Sequence, residues 1–349
     1  MRTWAHSSTI SSIAESDNSP PERLILVYGN CQAHWLAGLL AAQGLGQVCI
    51  VGTPFGFYPE FHGLRPFFID PAEAATWATR AKMLGRQVTI LEQSSPLNPG
   101  LDEATLKLGS HVVRFPHLEV RAYWHPWLAK AADGFDPARI QRQFAFDLGA
   151  MRRSAHKAGW DGSLIDFLEE THQSSLHFYT LNHPGAALMQ RLHAGVCAGL
   201  ETRGALDRTA YEWAQDEIKA QGGIAFIAEH PLHDAVIDAL DLTWAREGWY
   251  ALWQQAYFLA GAGEHTRALE MLDEAAVMPD HDPHLYLTMG TLLSVRGQDE
   301  AALRAFGRAH RAYPQNPEYG RLWLDAHAGG DGDLAVRLQS ELRSRLPPS

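Results

Sequence analysis

The run Tyr28-Gly29-Asn30-Cys31-Gln32-Ala33-His34 has the residue types and spacing that thiol chemistry needs. A cysteine in the first turn of a helix meets unpaired N–H groups and the positive end of the helix dipole. Both favour the thiolate, the nucleophilic form of the side chain. Gly29 permits a tight turn from a strand into that helix, and helix-start amides can hold an oxyanion, so Gly29, Asn30 and Gln32 are expected around the reacting atom. The arrangement is analogous to a strand-turn-helix nucleophile elbow with sulfur in place of a hydroxyl. Cys31 is therefore expected to be reactive, with a depressed pKa. Cys49 in VCIVG and Cys197 in HAGVCAGL lie inside apolar elements and read as core cysteines.

A thiol nucleophile needs a base, and with 18 histidines only position can choose among them. His183, in Asn182-His183-Pro184-Gly185, directly follows the apolar run Leu176–Leu181. If that run is a sheet strand, His183 emerges at the same sheet edge as Cys31, with Pro184 opening the next helix. His125, in Tyr123-Trp124-His125-Pro126-Trp127, sits in an aromatic loop after a strand at His111–Phe115 and is the second candidate. Gln93, just past a strand at Gln87–Leu91, joins Gln32 and Asn182 as an expected polar group of the crevice.

The elements that must position these groups alternate. Short apolar runs at Leu24–Tyr28, Gln47–Val51, Gln87–Leu91, His111–Phe115, Leu176–Leu181 and Ile224–Ile227 have strand character. Helical periodicity covers Gln32 to a stop at Gly44, Pro71–Lys82, Pro137–His156, Leu164–Thr171 and Ala186–Leu200. Continuous apolar strands alternating with helices predict an α/β fold, a mostly parallel sheet with helices on both faces, over residues 22–247.

From Gly248 onward no strand pattern survives, and residues recur at a spacing of 34. Leu252, Ala256, Leu259, Gly263, Ala268, Leu272 and Ala275 are followed 34 positions later by Tyr286, Gly290, Leu293, Gly297, Ala302, Phe306 and Ala309. Small residues at these points let paired helices approach closely. The pattern resembles the tetratricopeptide repeat, a helix-turn-helix unit of that period, with Glu318–Leu346 as a capping segment. Residues 248–349 are thus expected to be an all-α repeat module that docks on the first domain, self-associates or recruits a protein partner.

Composition narrows the class. With 46% hydrophobic and 20% charged residues the chain can bury a core, which excludes a disordered or fibrous protein. A net charge of −11 argues against nucleic acid or an anionic membrane as the main partner. Three cysteines make no disulfide scaffold. No apolar stretch is long enough to span a membrane, and residues 1–21, rich in Ser, Asp, Glu and Pro, read as a flexible tail, so the expected location is cytoplasmic.

The GNCQ turn, the FPHLEVRAYWHPW segment, the stretch DGSLIDFLEE and the FYTLNHPG segment, in that order, resemble the WcbI-type polysaccharide biosynthesis acetyltransferase family over about residues 22–245. The resemblance implies a fold akin to the SGNH hydrolases, coenzyme A or acetyl-coenzyme A as substrate, and acetyl transfer to a glycan or related hydroxyl, with the family cysteine at Cys31 and its histidine motif at His183. Coenzyme A carries phosphates, so a basic patch should line the mouth. Arg152, Arg153 and Lys157, with His156, form the densest basic cluster. No metal is expected. A cysteine-dependent ester or thioester hydrolase uses the same residues with water as acceptor. A non-catalytic adaptor working through its repeats is the reading of another class.

Overall fold

The computed structural model describes residues 23–52, 66–95, 101, 103–124, 136–201, 208–220, 231–279, 281–312 and 317–327. The expected tail, His125 and the Ile224–Ile227 strand lie outside them.

The first strand, β1 (Arg23–Tyr28), is the centre of a five-stranded sheet in which every pairing is parallel. β2 (Gln47–Val51) and the short β3 (Phe67–Ile69) lie on one side of it. β4 (Gln87–Ser94) and β5 (His111–Pro116) lie on the other, so the order is β3-β2-β1-β4-β5. Alternate residues of a strand point to opposite faces, and both faces are apolar here, which is why the strands read as unbroken hydrophobic runs. Leu24, Leu26, Cys49, Val51, Val88 and Ile90 form one core with Ala74, Ala78 and Ala81 of α2 (Pro71–Met83). Ile25, Val27, Val48, Ile50, Leu91 and Phe115 face the opposite way, into the core that holds Leu36 and Leu40 of α1 (Cys31–Ala42). α3 (Glu103–Leu108), α4 (Pro137–Lys157), α5 (Ser163–Thr171), α6 (Ala186–Glu201), α7 (Arg208–Ala220), α8 (Asp234–Leu240) and α9 (Thr243–Arg246) complete this part.

One expected strand is placed differently. Only Phe178–Thr180 of the Leu176–Leu181 run is extended (β6), and it pairs antiparallel with β7 (His183–Pro184) in a separate two-stranded ribbon. Thr180 and His183 are partners across a two-residue turn, a connection that joins antiparallel neighbours, whereas joining the parallel sheet requires a long crossover. Pro184 accordingly belongs to the ribbon, and α6 opens two residues later.

The C-terminal described residues form helices joined by short connections and contain no strand. α10 (Gly248–Gly261) and α11 (His265–Ala276) form one hairpin, α12 (Leu285–Val295) and α13 (Asp299–Ala312) a second, and α14 (Pro317–His327) packs on the latter. Each hairpin turns at a glycine in the left-handed region, Gly263 (φ 84°) and Gly297 (φ 68°), at the spacing of 34 read in the sequence. Gly290 is required by contact. A Cβ on it would come within 2.7 Å of the Phe306 ring. Among the described residues no helix is long and apolar enough to cross a membrane.

The core of the α/β part does not end at residue 247. An aromatic series runs from Phe144 through Tyr123, Trp244, Tyr250 and Trp253 to Tyr257, with successive ring centroids 4.9–6.5 Å apart. Leu272, Leu285, Met289 and Leu292 belong to the same buried cluster as Ile25 and Val27. A fragment ending at residue 247 is therefore expected to expose a broad apolar face and to aggregate. Size-exclusion chromatography of residues 1–247 against the full chain checks this, and a monodisperse, cooperatively melting fragment would refute it.

Candidate functional site

The chain leaves β1 toward β2 on one side and later returns to form β4 on the other, so the switch point of the sheet, where open α/β sheets hold their ligands, lies at the carboxyl ends of β1 and β4. Gly29, Asn30 and Cys31 stand at the end of β1, Gln93 at the end of β4. Gly29 is dictated by this convergence. A Cβ there would lie 2.7 Å from the Cβ of Ala33 and 2.7 Å from both the Cβ and Oε1 of Gln93. Asn30 is the N-cap of α1, its Oδ1 accepting from the Gln32 amide at 3.0 Å. Cys31 then falls in the first helical turn, half-buried, as the sequence led one to expect.

Its electrostatic state differs from that expectation. Burial pushes the Cys31 thiol up to about 12, against the opposing pull of the backbone amides of Gln32 and Cys31. No histidine is among the groups acting on it. The helix-start amides pull the thiol down, and the desolvation that comes with burial outweighs them.

Gln32 and Gln93 were expected to line the crevice and instead hold the turn together. Gln32 is fully buried and donates through Nε2 to the carbonyls of Leu118 (2.6 Å) and Asn182 (2.8 Å). Its Oε1 accepts from Gln93 Nε2 (2.8 Å) and the Leu118 amide (3.2 Å). Gln93 Oε1 in turn accepts from the Asn30 amide at 2.9 Å. The hydrogen-bonding capacity of Gln32 is used up, and so are the amides of Asn30 and Gln32 that were expected to hold an oxyanion. Asn182 joins the site through its carbonyl.

His117, at the end of β5, is a member that sequence reasoning missed. The Gln32 amide can only donate, so the Asn30 atom facing it is Oδ1, and Nδ2 donates to His117 Nδ1 at 3.2 Å. His117 Nε2–H then donates to Glu119 Oε2 (3.1 Å), while Arg121 Nε donates to Glu119 Oε1 (2.8 Å). The hydrogen bond from His117, supported by Arg121 against the effect of burial, holds the Glu119 carboxyl down at about 2. The signal lay in the alternation of His117, Glu119 and Arg121, which puts three polar side chains on one side of an extended segment leaving a sheet edge.

His183 lies in the ribbon, its Nδ1 2.7 Å from Thr180 Oγ1. Burial lowers it to about 4, so the imidazole is neutral. The neighbouring Asn182 carbonyl, bound to Gln32, ties the ribbon to the start of α1. The basic cluster does not converge. Arg152 pairs with Asp166 and Glu169 of α5, Arg153 lies over the exposed Phe146 ring at 5.9 Å, and Lys157 is exposed. Consecutive helical positions point about 100° apart, which is why sequence proximity did not make a pocket. The core reading of the other cysteines agrees with their burial, Cys49 within the sheet core and Cys197 beside the His193 ring at 3.3 Å.

Comparison with protein-family models, with curated proteins and with solved structures finds no match to this chain.

Two outcomes are expected from this geometry. Alkylation of Cys31 by iodoacetamide should be slow at pH 7.5 and still accelerating above pH 9, because the raised pKa keeps the thiol protonated. A rate that levels off near the ordinary thiol value of about 8.5 would show that the helix-start amides outweigh burial. Gln32→Ala should lower the unfolding free energy by about 2–4 kcal/mol in urea titrations, since it orphans the buried carbonyl and amide of Leu118, the part-buried Asn182 carbonyl and the Gln93 amide. A loss below about 1 kcal/mol would mean that water replaces the clamp.

Proposed function

We propose that this chain is a coenzyme A-dependent acyltransferase of the WcbI type, with Cys31 as nucleophile, His183 as base and a glycan or related hydroxyl as acceptor. The observation that carries the reading is the position of Cys31, in the first turn of α1 directly after the central strand of the parallel sheet, at its switch point. In the proposed reaction the Cys31 sulfur attacks the thioester carbonyl while its proton passes to the neutral imidazole of His183. Coenzyme A leaves as the thiol, taking that proton. The acceptor hydroxyl then gives its proton to the imidazole and attacks the acyl-cysteine, and the Cys31 sulfur leaves and is reprotonated. A protonated thiol and a neutral imidazole are the starting states this sequence of transfers needs, and it requires transfer concerted with attack, because burial disfavours a resting ion pair.

With the amides of Asn30 and Gln32 engaged, the amide of Cys31 is the helix-start donor assigned to the oxyanion. Arg153 and Lys157 are the cations left for the donor's phosphates. They flank Ser154, whose hydroxyl meets the Ser94 carbonyl and the His117 amide at the ends of β4 and β5. The sheet with its two helical faces supports the SGNH-like reading of residues 22–247. The two hairpins with turn glycines 34 residues apart and the Gly290–Phe306 contact support the tetratricopeptide-like reading of residues 248–349.

Incubation with acetyl-coenzyme A followed by intact mass should show one acetyl adduct, located on Cys31 and absent from Cys31→Ser. His183→Ala should lose turnover by about 10²–10⁴-fold at little-changed KM, and His125→Ala should act mainly on KM. An adduct elsewhere, or full turnover in His183→Ala, would overturn the assignment.

A further inference from the structure

The ribbon that carries His183 has only two strands, and an isolated two-stranded hairpin is marginal in water. Its position therefore depends on what grips it from outside. On the sheet side the grips are the Asn182 carbonyl, held by Gln32, and the Leu181 carbonyl, which accepts from the Val120 amide at 2.8 Å. On the other side the grip comes from the helical module. Neighbouring residues of a strand point opposite ways, so while Thr180 meets His183, Tyr179 turns away from it and enters the module's second core, among Leu287, Phe306 and Tyr319.

The Tyr179 hydroxyl donates to Asp282 Oδ2 at 2.5 Å, with both side chains buried. Asp282 lies between the two hairpins, and its Oδ1 accepts from the His284 amide at 2.8 Å. His284 Nδ1 meets the Tyr319 hydroxyl at 2.5 Å on α14. One buried series of hydrogen bonds thus links the last described helix to the residue beside Thr180. The neighbouring Trp253 Nε1 donates to Thr288 Oγ1 at 2.9 Å, fixing α10 to α12 around the same point.

We infer that the helical module is a positioning part of the active site: through Tyr179 and Asp282 it sets where the His183 ribbon sits against the Cys31 turn. The inference rests on the acyl-transfer reading for its kinetic consequence only. Tyr179 and Asp282 touch no reacting atom and act through the ribbon. The module is then a fixed support whose displacement, by a partner or by truncation, loosens the base.

The test uses the full chain and the variants Tyr179→Phe, which removes one hydroxyl, and Asp282→Ala, with Asp282→Asn as the conservative variant. Hydrogen exchange should speed up about tenfold at the amides of Val120 and Gly185, the latter bonded to the His177 carbonyl, while the amides of β1 keep the wild-type rate. Acetyl transfer should fall about tenfold in kcat at unchanged KM for acetyl-coenzyme A, with partial rescue in Asp282→Asn. The double variant should be no worse than Asp282→Ala alone, because both changes break one contact. Unchanged exchange at Val120 and Gly185 in the folded Tyr179→Phe protein overturns the inference. So does faster exchange with unchanged kcat. If Tyr179→Phe does not fold, Asp282→Asn carries the same two readouts. A wild-type chain that transfers no acetyl group refutes the proposed function, and the exchange rates then decide by themselves whether the module holds the ribbon.

Discussion

The buried amide of Gln32 is the interaction on which the rest of the site depends. Four hydrogen bonds from one side chain join the start of α1 to the segment leaving β5, to the end of β4 through Gln93, and to the ribbon turn through Asn182. Such a node is favourable only when complete, because each unmet donor or acceptor at that depth costs about 1–3 kcal/mol. Completeness forces the backbone of three separate segments into one register, and Gly29 supplies the room for it. The residue next to Cys31 is therefore invested in geometry.

That geometry has an electrostatic consequence. A helix start is worth about 0.3–1 kcal/mol to a nearby negative charge, less than a tenfold change in the thiol equilibrium. Burial outweighs it and pushes Cys31 up to about 12. The same burial keeps His183 neutral. A protonated thiol at Cys31 and a neutral imidazole at His183 are the resting states that burial sets at these two positions. His117 and Glu119 belong to the same economy of polar groups. Both nitrogens of the His117 ring are engaged, so its role is to hold the Asn30 cap.

The helical module is bonded into this arrangement at two levels. The aromatic series from Phe144 to Tyr257 makes its first hairpin part of the main core, and the Tyr179–Asp282 bond fastens its second hairpin to the ribbon. A helical hairpin must bury its apolar face against a neighbour, and here the α/β part serves as that neighbour.

Much of this was readable in the residues alone, wherever the cause is local. The apolar runs of β1, β2, β4 and β5, the Asn30-Cys31 helix start, the stop at Gly44 and the turn glycines Gly263 and Gly297 all follow from periodicity, capping and permitted φ values, which neighbours in sequence decide. The fate of Leu176–Leu181 was not legible, because an apolar run looks the same in a sheet and in a ribbon. Nor was the ionisation of Cys31, since burial is a property of everything packed around a group. Gln32 meets Gln93 61 residues away and the Asn182 carbonyl 150 residues away, and Tyr179 meets Asp282 across 103. Types and spacing determined which residues could do chemistry and on what elements they sit; only long-range packing decided which are spent on structure and which face the crevice, because hydrogen-bond partners and burial are set by segments that meet after the chain has folded.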